Sequence, residues 1–311
     1  MSSMRQDPSH RPGPVGGARR HDRPDSGTEG VLSVVVPAKN EAASLPQLIA
    51  EIADALRPVR ARREAEVVGR PLAGFEIVIV DDGSTDATPE VLRRLQADYP
   101  ELCLVRLSKN VGQSAATAAG FRSARGEWLA TLDADLQNHP ADLVTLWDAL
   151  GDHDAALGWR LKREDVWSKR IISRWANRVR NAVLGQSIRD TGCSVRIFPR
   201  GAAVRLPMFQ GSHRFLGPLL IREGCRIVQL PVRHRPRPHG ISHYNLWNRS
   251  LRVVVDLCGV AWLMRRPVRY EVAVSAAVAT SVESQSPPVL SAPTALSSPH
   301  SAPTPAGRLD R

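Results

Sequence analysis

The sequence predicts an α/β domain: a mostly parallel central sheet covered by helices. Three observations carry this reading. Short β-branched runs alternate with longer amphipathic stretches from residue 31 onward, and each run ends in a polar turn. The chain is 42% hydrophobic over 311 residues, enough for a substantial core. Strands that alternate with helices specify parallel pairing, with helices on both faces of the sheet.

Taken in order, "VLSVVVP" (31–37) reads as the first strand and 42–63 as a helix. "FEIVIVDD" (75–82) is the second strand, followed by a helix over "STDATPEVLRRLQADY" (84–99), with Thr88 as a candidate N-cap and Pro89 in the first turn. Strand "LCLVRLS" (102–108) leads to helix "QSAATAAGFRSA" (113–124), and strand "EWLATLDAD" (127–135) to helix "PADLVTLWDAL" (140–150). "DAALGWR" (154–160) begins as a further strand. Ligands of parallel sheets bind beyond the carboxyl ends of the strands. Pro37–Glu41, Asp81–Asp86, Asn110–Gln113 and Asp133–Gln137 are therefore expected on one rim.

Residues 1–30 and 271–311 read as disordered tails. The first is rich in Arg, Pro, Gly and Asp, the second in Ala, Ser, Thr, Pro and Val. The N-terminus lacks the apolar core of a signal peptide, and no apolar run approaches the length of a spanning helix. Cys103, Cys193, Cys225 and Cys258 show no metal or redox spacing and read as reduced, buried thiols. Charge is segregated. Residues 31–158 carry 12 basic and 19 acidic side chains, whereas 159–270 carry 23 basic and 5 acidic, within a formal net charge of +11. A basic half implies an anionic partner. Nucleic acid is not the expected one, because no helix-turn-helix, zinc-finger or RNP signature is present. Dinucleotide and P-loop readings lack their glycine signatures.

In "TLDADLQNHP" (131–140) the carboxylates Asp133 and Asp135 stand two residues apart. In an extended segment such residues point to the same side. Two carboxylates so close repel one another, and a divalent cation removes that conflict. The segments "VVVPAKNEAASL", "IVIVDDGSTDAT", "NVGQSAATAAGF" and "LDADLQNHP", in that order, resemble family 2 glycosyltransferases. With "RDTGCSVRIFPR" (189–200) and "RPHGISHY" (237–244), they resemble the polyprenyl-phosphate subgroup, of the dolichol-phosphate mannose synthase type. The likeness runs from about Val31 to Pro267.

The resemblance implies a GT-A type domain over 31–245. It implies a metal-dependent, inverting transfer of a sugar from a GDP- or UDP-sugar to a polyprenyl phosphate, with Mg2+ or Mn2+. By position, Pro37, Lys39, Glu41, Asp82 and Asp133 would meet the nucleotide-sugar; Lys39 stands where the family has an aromatic, and its stem can pack on a base. Asp133, Asp135 and Gln137 would hold the metal. A leaving diphosphate and an acceptor phosphate need cations, for which Arg160, Arg178, Arg196 and Arg237 are the candidates, with Ser242 on the acceptor side. Asp190 is read either as the base that a hydroxyl acceptor requires or as the group that orients an arginine. A transferase acting on a sugar hydroxyl in cell-surface glycan synthesis is the alternative function.

Residues 246–270 read as an amphipathic, basic helical segment. Within it, "LRVVVDLCGVAWLM" (251–264) places Leu251, Val254, Val255, Cys258 and Trp262 on one helical face, followed by Arg265, Arg266 and Arg269. Both a core helix and an interfacial helix resting on anionic lipid fit this pattern. The expected location is cytoplasmic, peripheral on the membrane face.

Overall fold

The computed structural model describes residues 30–62, 70–161, 177–236 and 246–266. The expected tails over 1–30 and 271–311 lie outside them but for Gly30, as do Arg237, Ser242 and Arg269. The first part is the βα alternation: β1 (Val31–Ala38), α1 (Leu45–Arg60), β2 (Gly74–Asp81), α2 (Thr88–Asp98), β3 (Leu102–Arg106), α3 (Gln113–Ser123), β4 (Trp128–Thr131), α4 (Ala141–Asp148) and β5 (Ala155–Arg160). A helix, α5, covers residues 177–184. After it come β6 (Arg196–Pro199), α6 (Arg200–Ala203), a 3-10 turn (Ser212–Arg214), α7 (Leu216–Arg222), β7 (Ile227–Val232) and α8 (Leu246–Met264).

The seven strands lie in the order β3-β2-β1-β4-β6-β5-β7. β6 is antiparallel to both of its neighbours, and the other pairings are parallel. The chain winds outward from β1 through β2 to β3, then returns to place β4 on the other side of β1. That reversal opens a crevice between the carboxyl ends of β1 and β4, where open α/β sheets hold their ligands.

Strands buried on both faces have no polar side to show, which is why β1 and β2 read as nearly unbroken apolar runs. Alternate residues feed two cores. Leu32, Val34, Val36, Ile77 and Ile79 pack on one face with Leu48, Ile52 and Leu56 of α1. Val35, Val78 and Val80 pack on the other with Phe121 of α3, Leu219 of α7 and Val260 of α8. Helix α3 approaches β1 so closely that a Cβ at Gly120 would lie 2.3 Å from Val35 Cγ1. Among the described residues no helix is long and apolar enough to cross a membrane.

Three expectations are corrected. Helix α2 starts at Thr88, with Ala87 as its cap, so Thr88 is not the N-cap. The Thr88 hydroxyl instead accepts the Glu41 N–H at 3.0 Å, stitching the loops after β1 and β2 together. Strand β4 ends at Thr131, short of both aspartates. Its last partner on β1 is Val35 and on β6 is Arg196; beyond them the chain turns, and Leu136 adopts φ 61. The same-side rule for extended residues is therefore not what unites Asp133 and Asp135. Finally, Cys193 and Cys225 are buried, but Cys103 is half-buried and Cys258 is exposed on α8.

Helix α8 has one face in the core and one turned outward. Val260 and Ala261 are buried in the core, with Leu257 and Met264 packed beside them. The face that the sequence marked as apolar points outward: Val254 is 55%, Val255 63% and Trp262 56% exposed, and Cys258 is exposed as well. Arg266 stacks its guanidinium over Trp262 at 5.3 Å.

Candidate active site

The rim expected from the sequence exists. A cleft of about 540 Å³ opens at the β1/β4 switch point. Pro37, Lys39 and Glu41 line it from the end of β1, Asp82 from β2, and Asn110 and Gln113 from the loop entering α3. Asp133, Asp135, Gln137 and Arg160 complete its lining.

Asp82 does more than face the cleft. Its carboxylate accepts the Val111 and Gly112 N–H groups, each at 2.8 Å, and the Asn110 side-chain amide at 3.2 Å. Those bonds occupy three of about four lone-pair positions. Asp82 is thus first the latch of the loop that delivers Gln113, and Gly112, at φ 95, provides the backbone turn that the latch requires.

Gln113 then donates its amide to Asp133 Oδ1 at 2.9 Å. Asp135 accepts the Gln137 N–H at 3.2 Å, which curls the loop so that both carboxylates face the cleft. The loop is held from behind by Arg235, whose backbone N–H donates to Gln137 O at 2.9 Å and whose side chain bonds the Leu136 carbonyl and, at 2.6 Å, Glu51 of α1. Burial, and after it the Asp135 charge, hold the Asp133 carboxyl above its ordinary range, against the pull of Ser194, Arg196 and Arg160. Crowded carboxylates of this kind suit a divalent cation that takes one or two protein oxygens and fills its remaining positions from substrate phosphates and water. Asp133, Asp135 and Gln137 fit that donor set, and among the described residues no group of three or more His, Cys, Asp or Glu supplies a self-sufficient cage.

In the same cleft, Arg160 forms a bidentate pair with Asp190, Nε to Oδ2 at 2.8 Å and Nη2 to Oδ1 at 3.0 Å. Burial works against the Arg160 charge, but the hydrogen bonds and the Coulomb attraction of Asp190 outweigh it and raise its pKa. Asp190 also accepts the Gly192 N–H at 3.1 Å. Of the two readings of Asp190, the geometry fits the one in which it orients an arginine. Arg196, at the start of β6, is buried and donates Nη2 to the Thr191 carbonyl at 3.0 Å, with its pKa lowered by that burial.

Arg178 is exposed on α5 and lines neither this cleft nor the cavity beside it. Arg180, two residues on and so about 200° around the helix, bonds Thr191 instead. Arg237 and Ser242 lie outside the described residues. Sequence reasoning placed Gln113 on the rim without giving it a role, and missed Thr191, Ser194, His213 and Arg235 as parts of the site. The motifs around Gln113 and Thr191 were visible, but what these side chains touch depends on long-range packing.

Residues 33–206 match the family described as Glycosyl transferase family 2. The chain belongs to glycosyltransferase family 2. Its mostly parallel sheet is that of a GT-A fold glycosyltransferase, and the expected family and fold class both hold. A dodecaprenyl-phosphate galacturonate synthase from Rhizobium johnstonii is 35% identical over 244 residues, covering 76% of this chain and 68% of the relative. An undecaprenyl-phosphate 4-deoxy-4-formamido-L-arabinose transferase from Aeromonas hydrophila is 32% identical over 241 residues, covering 77% and 69%. Among solved structures, the mannosyltransferase of Pyrobaculum calidifontis, in complex with GDP-Man and Mn2+, superposes with a TM-score of 0.52 at 23% identity, covering 80% of this chain and 68% of that one. Glucosyl-3-phosphoglycerate synthase from Mycobacterium tuberculosis gives a TM-score of 0.52 at 17% identity, covering 75% and 80%. The last two likenesses speak for the fold alone.

Proposed function

We propose that this family 2 enzyme transfers a sugar from a nucleoside-diphosphate donor to a polyprenyl phosphate, with Mg2+ or Mn2+ and at a membrane surface. The observation that carries the reading is Arg160, paired with Asp190, lining the same cleft as Asp133 and Asp135. A hydroxyl acceptor needs a carboxylate ready to take its proton, and Asp190 is engaged with a guanidinium. A phosphate acceptor arrives ionised, needs no base, and is drawn to an oriented, permanently charged arginine. Two relatives above 30% identity act, by name, with dodecaprenyl or undecaprenyl phosphate. That supports the acceptor class and disfavours the sugar-hydroxyl alternative.

On this reading the residues lining the cleft take the following roles. Pro37, Lys39 and Glu41 receive the nucleoside beside Asp82. Asp133, Asp135 and Gln137 would hold the cation, which as a Lewis acid would take up charge on the leaving diphosphate. Arg160 orients the acceptor phosphate, and Arg237 with Ser242 follow from the sequence as its further ligands. The outward face of α8, with Arg265 and Arg266 exposed at its end, rests on anionic lipid; each basic residue there contributes about 1 kcal/mol. The test is transfer from labelled UDP- and GDP-sugars to a short-chain prenyl phosphate, with Mn2+ and with chelator. Metal-dependent transfer to the prenyl phosphate is expected. Transfer to free sugars alone, or undiminished turnover in chelator, overturns the reading.

A further inference from the structure

Leu136 stands between Asp135 and Gln137, so its backbone angles fix where those two side chains lie relative to each other. Its φ is 61°, in the left-handed region. Among the described residues only Asn40 and Leu136 adopt a positive φ without being glycine. Asparagine tolerates that region, but a bulky aliphatic residue there is strained. The side chain shows why glycine does not serve instead. It is fully buried, in the core that holds Leu48 and Ile52 of α1 and Leu143 and Leu146 of α4. The loop is thus anchored by its side chain in a backbone conformation that it would not choose by itself.

Arg235 holds the backbone there. It lines neither the cleft nor the cavity beside it. Its Nε donates to the Leu136 carbonyl and its backbone N–H to the Gln137 carbonyl, so both peptides that follow the hinge are gripped. Its Nη2 turns the other way, to Glu51 Oε2 at 2.6 Å, across 184 residues of sequence. The planar guanidinium fork sends donors in two fixed directions at once, which an ammonium cannot do. Glu51 also accepts the Gln47 side-chain amide, one turn earlier on α1, at 2.8 Å. Burial works against the Glu51 charge, but the hydrogen bonds of Arg235 and Gln47 outweigh it and lower its pKa. The two side chains of the pair keep only 24% and 27% of their surface exposed. The neighbouring residues tie the same segment down. Arg233 donates Nε to Asp142 Oδ1 at 2.9 Å and its backbone N–H to Oδ2 at 2.7 Å, and His234 bridges Asn138. The chain after β7 is therefore pinned to α1 and α4 while it grips the loop.

We propose that Arg235 and Glu51 are positioning residues for the cation: their brace sets the metal affinity of the cleft, although neither side chain lines it. This deepens the function proposed above and rests on its metal. Without the brace, the backbone at Leu136 is free to leave the left-handed region, and Asp135 and Gln137 no longer arrive at the cleft together. An incoming cation then has to order the loop as it binds, and its affinity falls by that cost. Groups that hold metal ligands in place typically change metal affinity by roughly 10–100-fold when they are removed. Glu51, on the far side of Arg235 from the loop, is the residue for which that effect is least expected on any other account.

Two readouts on the full chain test it: Mn2+ titration calorimetry in saturating UDP or GDP, and hydrogen exchange over residues 132–139 in the metal-free protein. Glu51→Ala and Arg235→Met are each expected to weaken Mn2+ binding roughly 10–100-fold and to speed exchange in the loop. Glu51→Gln, which keeps an oxygen for the guanidinium, falls between them and the wild type. The exchanged pair, Glu51→Arg with Arg235→Glu, separates a brace from an ordinary ion pair. It restores the attraction, but a carboxylate cannot donate to the Leu136 carbonyl, so the melting temperature recovers while Mn2+ affinity stays low. Arg57→Met breaks the pair with Glu101 near the end of α1 and leaves both readouts at their wild-type values. Wild-type Mn2+ affinity in Glu51→Ala, or its full recovery in the exchanged pair, overturns the brace and leaves the transferase function standing. If Glu51→Ala does not fold, Glu51→Gln decides, and unchanged affinity and exchange there overturn the proposal. A wild-type protein that binds UDP or GDP but no Mn2+ sinks the metal of the proposed function and the brace together.

Discussion

The wall of the cleft built by β1, β2 and the loop into α3 fixes its carboxylate with backbone amides: Asp82 is held by Val111 and Gly112 N–H groups. The wall built by β5, β6 and the loop between them fixes guanidiniums instead, Arg160 with a carboxylate and Arg196 with a carbonyl. The segments behind these walls differ in the same sense: net charge is −7 over 31–158 and +18 over 159–270. Under the proposed function, the difference teaches how one crevice would handle two partners. A metal-bound nucleotide needs oxygen ligands whose positions do not shift, and backbone amides provide that rigidity. An incoming phosphate needs charge that can be aimed, and a carboxylate behind an arginine provides the aim.

The comparison is broken most completely at the shared metal loop. Asp135→Asn is expected to lower turnover at least about a hundredfold while the melting temperature stays within a few degrees, because it removes a cation ligand and no core contact. Turnover and Mn2+ titration calorimetry check it, and wild-type metal affinity in the variant would refute the assignment. On the basic wall, Asp190→Asn leaves Arg160 poorly compensated. A loss of about 2 kcal/mol in stability is expected, at the low end for a buried pair because both side chains keep some solvent contact, along with a raised KM for prenyl phosphate and an unchanged donor KM. Chemical denaturation and the split between the two KM values test it. On the acidic wall, Asp82→Ala should reverse that split, raising the donor KM and sparing the acceptor KM, with about 2 kcal/mol lost as the loop at 110–112 is unlatched.

A subtler contrast appears with pH. The folded Asp133 carboxyl binds its proton more tightly than the unfolded one, so the metal-free protein is favoured while Asp133 stays protonated. In chelator, stability is expected to fall as pH climbs from about 4, the ordinary aspartate value, through the raised one. Asp133→Asn removes that slope, and Mn2+ removes it from the wild type; melting curves across this range measure both. The smallest expected effect is in thiol labelling. Burial pushes the Cys193 thiol up to about 11 and the Cys225 thiol up to about 12, so both resist maleimide at neutral pH. Cys258 reacts, and anionic vesicles protect it if α8 lies on them; equal labelling with and without vesicles removes α8 from the membrane reading.

The acidic side of the cleft was legible in the sequence and the basic side far less so, for a physical reason. Each strand from β1 to β4 is a local apolar run closed by its own polar turn, and the topology of parallel sheets brings those turns to one rim without further information. The period said nothing about where the β4 ladder stops, so Asp133 and Asp135 were placed on a strand when a turn unites them. β6 is four residues long and its antiparallel partners come from distant parts of the chain, so no local pattern announces it. Facing errors are equally local. Arg178 and Arg180 are indistinguishable by composition, yet only the second reaches Thr191. Thr191 and Ser194 enter the cavity beside the cleft from the loop before β6 and His213 from the 3-10 turn, two segments that only the folded chain brings together.

Helix α8 has a consequence for anyone handling the protein. Its outward apolar face invites removal of the helix to gain solubility. The same helix lends Val260 and Ala261 to the core beneath α3 and α7, so cutting it away exchanges one greasy surface for another and leaves a seat that nothing fills. Solubility has to be sought by repainting rather than trimming: polar substitutions at Val254, Val255 and Trp262 alter what the helix shows to its surroundings and leave untouched what it gives to the interior.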